Sequence, residues 1–251
     1  MKKKIWITGA SSGIGKSLAI KFANEGWQVA ASARRENLLQ ELNKNNSNIL
    51  PFPLDVTRGE DIKNVFDLIL KKMNEVDLCI FSTGTYEPTL EKEINEKQIR
   101  NVMEVNFFGV VNCIKTVEKY FKEKGSGHIS IVSSVAGYRG LPNSTGYGAS
   151  KAALNNLTES LYFDFKKHNV RISLISPGFI KTPMTDKNKF KMPFIKSAEF
   201  AANKIFKGIT KSKSFEITFP KELTVIMKIL RVLPYWKYLY LIEKLTKLQK
   251  R

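Results

Sequence analysis

The strongest constraint on this chain is an alternation. Apolar runs at residues 5–8, 28–33, 48–54, 77–82, 128–133, 171–176 and 214–219 are separated by stretches with helical patterning. Most of the runs are continuous in apolar character. Strands of that kind, separated by helices, make a parallel sheet covered on both faces. The expected architecture is therefore α/β: a doubly wound, seven-stranded parallel sheet with helices on both faces. Helices are expected over residues 15–24, 36–44, 61–73, 147–167 and 198–210, with a broken helical stretch from about 91 to 123. No repeat, linker or boundary interrupts the pattern before residue 220. Residues 1–220 read as one domain and residues 221–251 as an extension. Ligands of such sheets bind beyond the carboxyl ends of the strands. The loops after Thr8, Ala33, Ser82, Ser133 and Ser176 are thus expected to line one site.

Composition bounds the partners. A hydrophobic fraction of 43% over 251 residues is enough for a buried core. The formal net charge of +18 asks for an acidic partner: nucleic acid, an anionic membrane surface or a phosphorylated small molecule. The charge is uneven. Residues 1–180 carry 24 basic and 18 acidic residues, and residues 181–251 carry 17 and 5. Two cysteines, Cys79 and Cys113, form no disulfide framework or Cys-rich zinc site, so a reducing, cytoplasmic setting is expected. Met1-Lys2-Lys3-Lys4 before Ile5-Trp6-Ile7 imitates a signal peptide, but the apolar stretch ends at Thr8-Gly9, too early for one. No run of about 18 apolar residues predicts a membrane-spanning helix.

The first strand leads into Thr8-Gly9-Ala10-Ser11-Ser12-Gly13-Ile14-Gly15 and a helix. Glycines let backbone approach a ligand closely, and a helix N-terminus offers free N–H groups to a pyrophosphate. The second strand ends Ala33-Arg34-Arg35. An acidic residue there would bind a ribose 2′-hydroxyl; paired guanidiniums suit a 2′-phosphate. NADP(H) is expected over NAD(H). Tyr147 and Lys151 stand at i and i+4 on one helix face. A phenol with pKa about 10 is a poor base, and a nearby ammonium is expected to lower that value by roughly one to three units. Tyr147 is a candidate general acid/base. Ser133-Ser134 ends a strand thirteen residues before it and reaches the same crevice.

These motifs together resemble the short-chain dehydrogenases/reductases over about residues 4–220. They run in family order: the Thr8–Gly15 turn, Asp55-Val56, Asn106, Ser134, Tyr147 with Lys151, and Pro177-Gly178 leading to Ile180 and Thr182. The resemblance implies a Rossmann-like fold and an oxidoreductase that interconverts a carbonyl and a secondary alcohol. It implies that Tyr147 transfers the proton and that Lys151 lowers its pKa and holds the nicotinamide ribose. Ser134 would bind the substrate oxygen, and Asn106 would anchor a relay water by distorting its helix. Thr8, Gly9, Ser11, Ser12, Gly13, Ile14 and Gly15 would hold the pyrophosphate. Asp55 and Val56 would take the adenine; Pro177, Gly178, Ile180 and Thr182 the nicotinamide side. Phe81-Ser82-Thr83-Gly84 replaces the family's Asn-Asn-Ala-Gly, keeping Gly84 but losing the asparagine hydrogen bonds at that strand end. Alternatives are an epimerase or dehydratase built on the same machinery, or an NADP(H)-binding sensor or scaffold without turnover. The family also suggests a homo-oligomer.

Other residues read as structural. His128 and His168 make no metal pattern and are expected at the surface or at helix ends; no metal is expected. Cys79 and Cys113 read as core packing. Residues 179–196 form a basic loop with Met184, Phe190, Met192 and Phe194, expected to cover a hydrophobic substrate, with Tyr138, Leu141 and Pro142 on the opposite wall. In the extension, Lys221, Thr224, Lys228 and Arg231 make one polar stripe on an otherwise apolar helix that Pro234 ends. A second helix sets Lys237, Lys244 and Lys247 opposite Tyr235, Trp236, Tyr238, Leu239, Leu241, Ile242, Leu245 and Leu248. Two readings stand: an in-plane helix pair on an anionic membrane surface, at the inner face of the membrane, or packing on the domain or a second subunit. Nucleic acid is not expected, because the basic residues share helices with broad apolar faces.

Overall fold

The structure is a computed structural model and describes residues 2–88, 93–188 and 190–246. Among the described residues, seven strands form one parallel sheet: β1 (Lys4–Thr8), β2 (Gln28–Ala33), β3 (Ile49–Pro53), β4 (Leu78–Phe81), β5 (His128–Val132), β6 (Arg171–Pro177) and β7 (Glu216–Phe219). Their order is β3-β2-β1-β4-β5-β6-β7. The chain reverses direction across the sheet between β1 and β4, so a crevice opens beyond their carboxyl ends.

The strand residues explain the two layers. Ile5 and Ile7 of β1 enter one core with α1 (Gly13–Asn24), α2 (Glu36–Asn45) and α7 (Ala198–Lys211). Trp6 points the other way, toward α3 (Gly59–Met73), α5 (Gly109–Lys124) and α6 (Thr145–Lys167). The Trp6 ring stacks on Phe66 at 5.4 Å and its N–H donates to Ser32 Oγ at 2.9 Å, so this large buried side chain leaves no polar atom unpaired.

The broken helical stretch has a specific form. Among its described residues, α4 (Glu96–Met103) continues without a loop through a π-helical turn at Glu104–Phe108 into α5. Residues 91 and 92, expected at its start, lie outside the described residues. His128 departs from expectation. It is buried at the start of β5, with Nε2 2.8 Å from Ser173 Oγ and 3.2 Å from Ser130 Oγ. Two serines on adjacent strands satisfy the ring, so it needs no solvent. Burial, and then the charge of Arg171, push its pKa down to about 3. His168 is exposed just past the end of α6. Cys79 and Cys113 are buried, and burial raises both thiols well above their usual range.

The chain ends in α8 (Lys221–Val232) and α9 (Tyr235–Thr246), which fold back onto the sheet's carboxyl side. Leu223, Met227 and Leu230 of α8 and Tyr238 and Ile242 of α9 close a third apolar cluster over Val135 and Tyr138. Arg139 holds both helices. Its guanidinium donates to the Leu230 and Leu233 carbonyls that end α8, at 3.0 and 2.6 Å, and lies 4.1 Å from the Tyr238 ring centre. Lys247 and Leu248 lie outside the described residues.

Candidate active site

The expected loops do converge. A cleft of about 360 Å³ opens beyond the strand ends. Gly9, Ser11, Ser12, Gly13, Ile14 and Gly15 line its floor, and Arg34, Arg35, Asp55 and Val56 one end. Gly84, Ser134, Tyr147, Lys151, Pro177, Gly178, Ile180 and Thr182 line the rest. Two candidates stand behind the wall rather than in it: Thr8 is buried beneath the turn, and Asn106 is buried behind Gly84 and Thr85.

The turn is tight for a reason. Gly9 has φ +70°, and a Cβ there would lie 2.8 Å from the Ser82 carbonyl oxygen. A Cβ on Gly15 would lie 2.3 Å from the Gly9 oxygen. Only glycine lets β1 reverse into α1 this close to the β4 loop. Ser12, the residue before α1, makes no side-chain cap, and the first turn holds no acid. The first N–H groups of α1 therefore keep their capacity for an anion. Arg35 Nη2 donates to Ser11 Oγ and Ser12 Oγ, both at 2.8 Å, so a guanidinium and two hydroxyls gather where β2 ends. This donor set fits the phosphates of a nicotinamide dinucleotide.

At the opposite end, Asn106 explains how the strand end survives without the expected asparagines. Its Oδ1 accepts from Thr85 N at 2.7 Å, and its Nδ2 donates to the Thr85 carbonyl at 2.9 Å. The same Nδ2 donates to Ser150 Oγ at 3.0 Å, and Ser150 Oγ donates to the Tyr147 carbonyl at 2.7 Å. The π-helical turn carries Asn106 into this position and joins the β4 loop to the first turn of α6.

Ser133 and Ser134 separate cleanly. Ser133 Oγ is turned into α6, donating to Asn155 Oδ1 at 2.6 Å. Ser134 lines the same cleft as Tyr147, and its Oγ donates to the Pro177 carbonyl at 3.5 Å. Lys151 is buried; its Nζ donates to the Val132 carbonyl at 2.9 Å and lies 5.7 Å from the Tyr147 ring centre. The expected depression of the phenol is not found. Burial pushes the Tyr147 pKa up to about 12, with the Ser134 hydroxyl opposing. Burial lowers Lys151 to about 8. The lysine sits below the ring, engaged with a carbonyl, and its charge does not offset the desolvation of the phenol.

Tyr86 was not anticipated. Its ring meets Tyr147 edge to face at 5.2 Å, and its hydroxyl donates to Asn188 Oδ1 at 2.9 Å. Lys187 Nζ donates to the Tyr86 carbonyl at 3.0 Å. The segment after β6 is thus fastened across the cleft to the loop after β4. Tyr138 corrects the opposite expectation. It is buried under α8, its hydroxyl bonded to Glu216 Oε1, and it lines no part of the cleft; Leu141 packs on the same cluster.

Residues 3–192 match the family model for short chain dehydrogenases. The chain belongs to the short-chain dehydrogenase/reductase family. An uncharacterized oxidoreductase of Myxococcus xanthus is 34% identical over 232 residues, 91% of each chain. A short-chain dehydrogenase from Streptomyces avermitilis superposes with a TM-score of 0.84 at 23% identity, over 98% of each chain. ElxO, solved with NADP bound, superposes with a TM-score of 0.77 at 26% identity, over 87% of this chain and 98% of its own. This short-chain dehydrogenase/reductase is an NAD(P)-dependent oxidoreductase with the Rossmann-like sheet that its sequence pattern led us to expect.

Proposed function

We propose that this enzyme interconverts a carbonyl and a secondary alcohol on a hydrophobic substrate, using NADP(H), with Tyr147 as general acid/base. The observation that carries the reading is the gathering of Ser134, Tyr147 and Lys151 in the same cleft as the uncapped α1 N-terminus. When bound, the nicotinamide cofactor supplies the hydride. Every other task falls to the protein's own groups.

The α1 N-terminus and the Gly9–Gly15 turn would hold the pyrophosphate, and Arg34 and Arg35 the 2′-phosphate. ElxO, a relative by fold and sequence, was solved with NADP bound. Asp55 and Val56 would flank the adenine; Ile180 and Thr182 would face the nicotinamide amide. A substrate carbonyl would accept from Tyr147 Oη and Ser134 Oγ. A phenol held at about 12 is protonated at neutral pH, which suits a proton donor to a forming alkoxide. Lys151, at about 8, exchanges its proton near neutrality and can return one toward Tyr147. The Asn106–Ser150–Tyr147 chain fixes the first turn of α6, so that the phenol keeps its place.

Met184 lines the cleft, and Phe190 and Phe194 stand exposed on the same segment, which supports an apolar substrate. The reading includes a reducing cytoplasmic setting, in keeping with two free buried cysteines, and a homo-oligomer in which exposed Phe108 and Phe163 offer subunit contacts. A carbonyl panel with NADPH, including long-chain compounds, tests it. Long-chain ketones should turn over at least tenfold more efficiently than small polar ones. Equal rates would remove the hydrophobic-substrate claim, and no turnover on any carbonyl would remove the reaction. Tighter binding of NADH than NADPH would remove the cofactor preference.

A further inference from the structure

Helix α8 uses its polar residues on the protein and turns apolar ones to the outside. Lys228 Nζ donates to Glu216 Oε2 at 2.6 Å, and Lys221 Nζ to Thr218 Oγ1 at 3.0 Å. The Arg231 guanidinium lies 4.0 Å from the Glu159 carboxylate. The side facing away from the third cluster carries Val225, Ile229 and Val232, the last 81% exposed. Helix α9 continues that surface. Only Tyr238 and Ile242 of its 12 residues are buried, while Trp236 is 69% and Leu239 60% exposed. Contiguous exposed apolar surface on a folded chain marks an interaction site.

Charge selects the partner. With Lys221, Lys228 and Arg231 turned to the domain, α9 presents Lys237 and Lys244 beside one exposed acid, Glu243, with no ion pair among the described residues. On α9, Lys237 Nζ lies 5.0 Å from the Trp236 ring centre and Lys244 Nζ 4.6 Å from that of Tyr240. An ammonium beside an aromatic ring places charge and ring at one depth, as helices do at the headgroup level of a bilayer. A second copy meeting this face about a twofold axis would set the same basic surface against itself. An anionic surface would neutralise it. We propose that the outer face of α8 and α9 lies in the plane of an anionic lipid surface. The contact is peripheral: no helix among the described residues is long and apolar enough to cross a membrane.

This platform adjoins the cleft. A Cβ on Gly178 would lie 2.6 Å from Leu223 Cδ2 of α8. Phe179 packs on the α8 cluster and meets Phe190 edge to face at 5.8 Å. The route this opens for a lipid-like carbonyl rests on the reaction proposed above; the lipid contact itself does not.

Flotation of the full chain with vesicles of phosphatidylcholine, alone or mixed with phosphatidylglycerol, tests the contact. The wild type should float with the anionic vesicles and lose binding in high salt. V232E/W236E should float at least tenfold less and K237E/K244E at least fivefold less, both with NADPH affinity within twofold of wild type. If V232E/W236E loses NADPH binding, K237E/K244E and the salt dependence carry the test. Absence of wild-type flotation, equal flotation on phosphatidylcholine alone, or undiminished flotation of both folded variants overturns the proposal. So does a lipid-free dimer, seen by light scattering, that V232E/W236E separates into monomers; a second copy is then the occupant. Because NADPH turnover is read separately, failure here leaves the proposed reaction standing.

Discussion

The strand-end cleft and the C-terminal helix pair sit side by side and treat polar groups in opposite ways. In the cleft, polar side chains are drawn inward and held: Asn106 by the Thr85 backbone and the Ser150 hydroxyl, Lys151 by the Val132 carbonyl, Arg35 by the Ser11 and Ser12 hydroxyls. In α8 and α9, polar side chains reach the domain at the margins, and Val225, Ile229 and Trp236 are left in water. The first arrangement pre-positions donors for a small polar ligand, since a buried polar group without a partner is costly. The second leaves apolar area open to a contact without directional bonds, because the hydrophobic effect asks only for area.

Mutations that separate the two regions test this contrast. The largest effect is expected from Tyr147→Phe. Turnover should fall about 10²–10⁴-fold, the usual worth of a positioned proton donor, with NADPH affinity within about twofold. Turnover like that of the wild type would show that the Tyr147–Ser134 pair is only structural.

Next comes the anion end of the cleft. Replacing Arg34 and Arg35 together by alanine should weaken NADPH binding about 10–100-fold, from the loss of charged hydrogen bonds. NADH binding, measured by the same titration, should change less than about threefold. Equal losses for both cofactors would assign the arginines to the fold of the turn.

The pH profile is the third. Lys151 is lowered to about 8, so its ammonium is present below that pH and lost above it. Tyr147, near 12, keeps its proton throughout. Reductive kcat/KM should be level between about pH 6 and 7.5 and fall by up to about tenfold per unit above 8. A rate that rises there would contradict a role for the Lys151 charge.

The smallest effect belongs to the helix pair. Arg139→Ala removes the guanidinium that caps α8 and lies against the α9 rings. It should lower stability by about 1–2 kcal/mol, read from the urea midpoint, with NADPH affinity unchanged. A parallel fall in NADPH affinity would mean that the cleft and the helices are one cooperative unit.

Much of the site was legible because its signals are local. The Gly9–Gly15 turn follows its strand directly, and Tyr147 and Lys151 share one helix face. The resemblance implies Ser134 rather than Ser133 for the substrate oxygen; in the structure Ser134 lines the cleft while the Ser133 hydroxyl is bonded into α6. What was missed depends on distance along the chain. Tyr86 and Asn188 are 102 residues apart, and no spacing pattern joins them. Arg139 meets carbonyls more than 90 residues later. The burial of His128 is not legible in the sequence, because its two serine partners read as ordinary strand residues until β5 and β6 pair.

By itself, the sequence determined the sheet, the glycine-rich turn after β1, the face of α6 that carries Tyr147 and Lys151, and the presence of an amphipathic tail. Periodicity and adjacent motifs encode these, since backbone geometry relates neighbours in a fixed way. Only the tertiary structure decided which face of that tail is buried, where the Lys151 ammonium points and how high burial holds the Tyr147 phenol. Those outcomes depend on desolvation and on partners from other elements, and neither exists until the chain has closed around them.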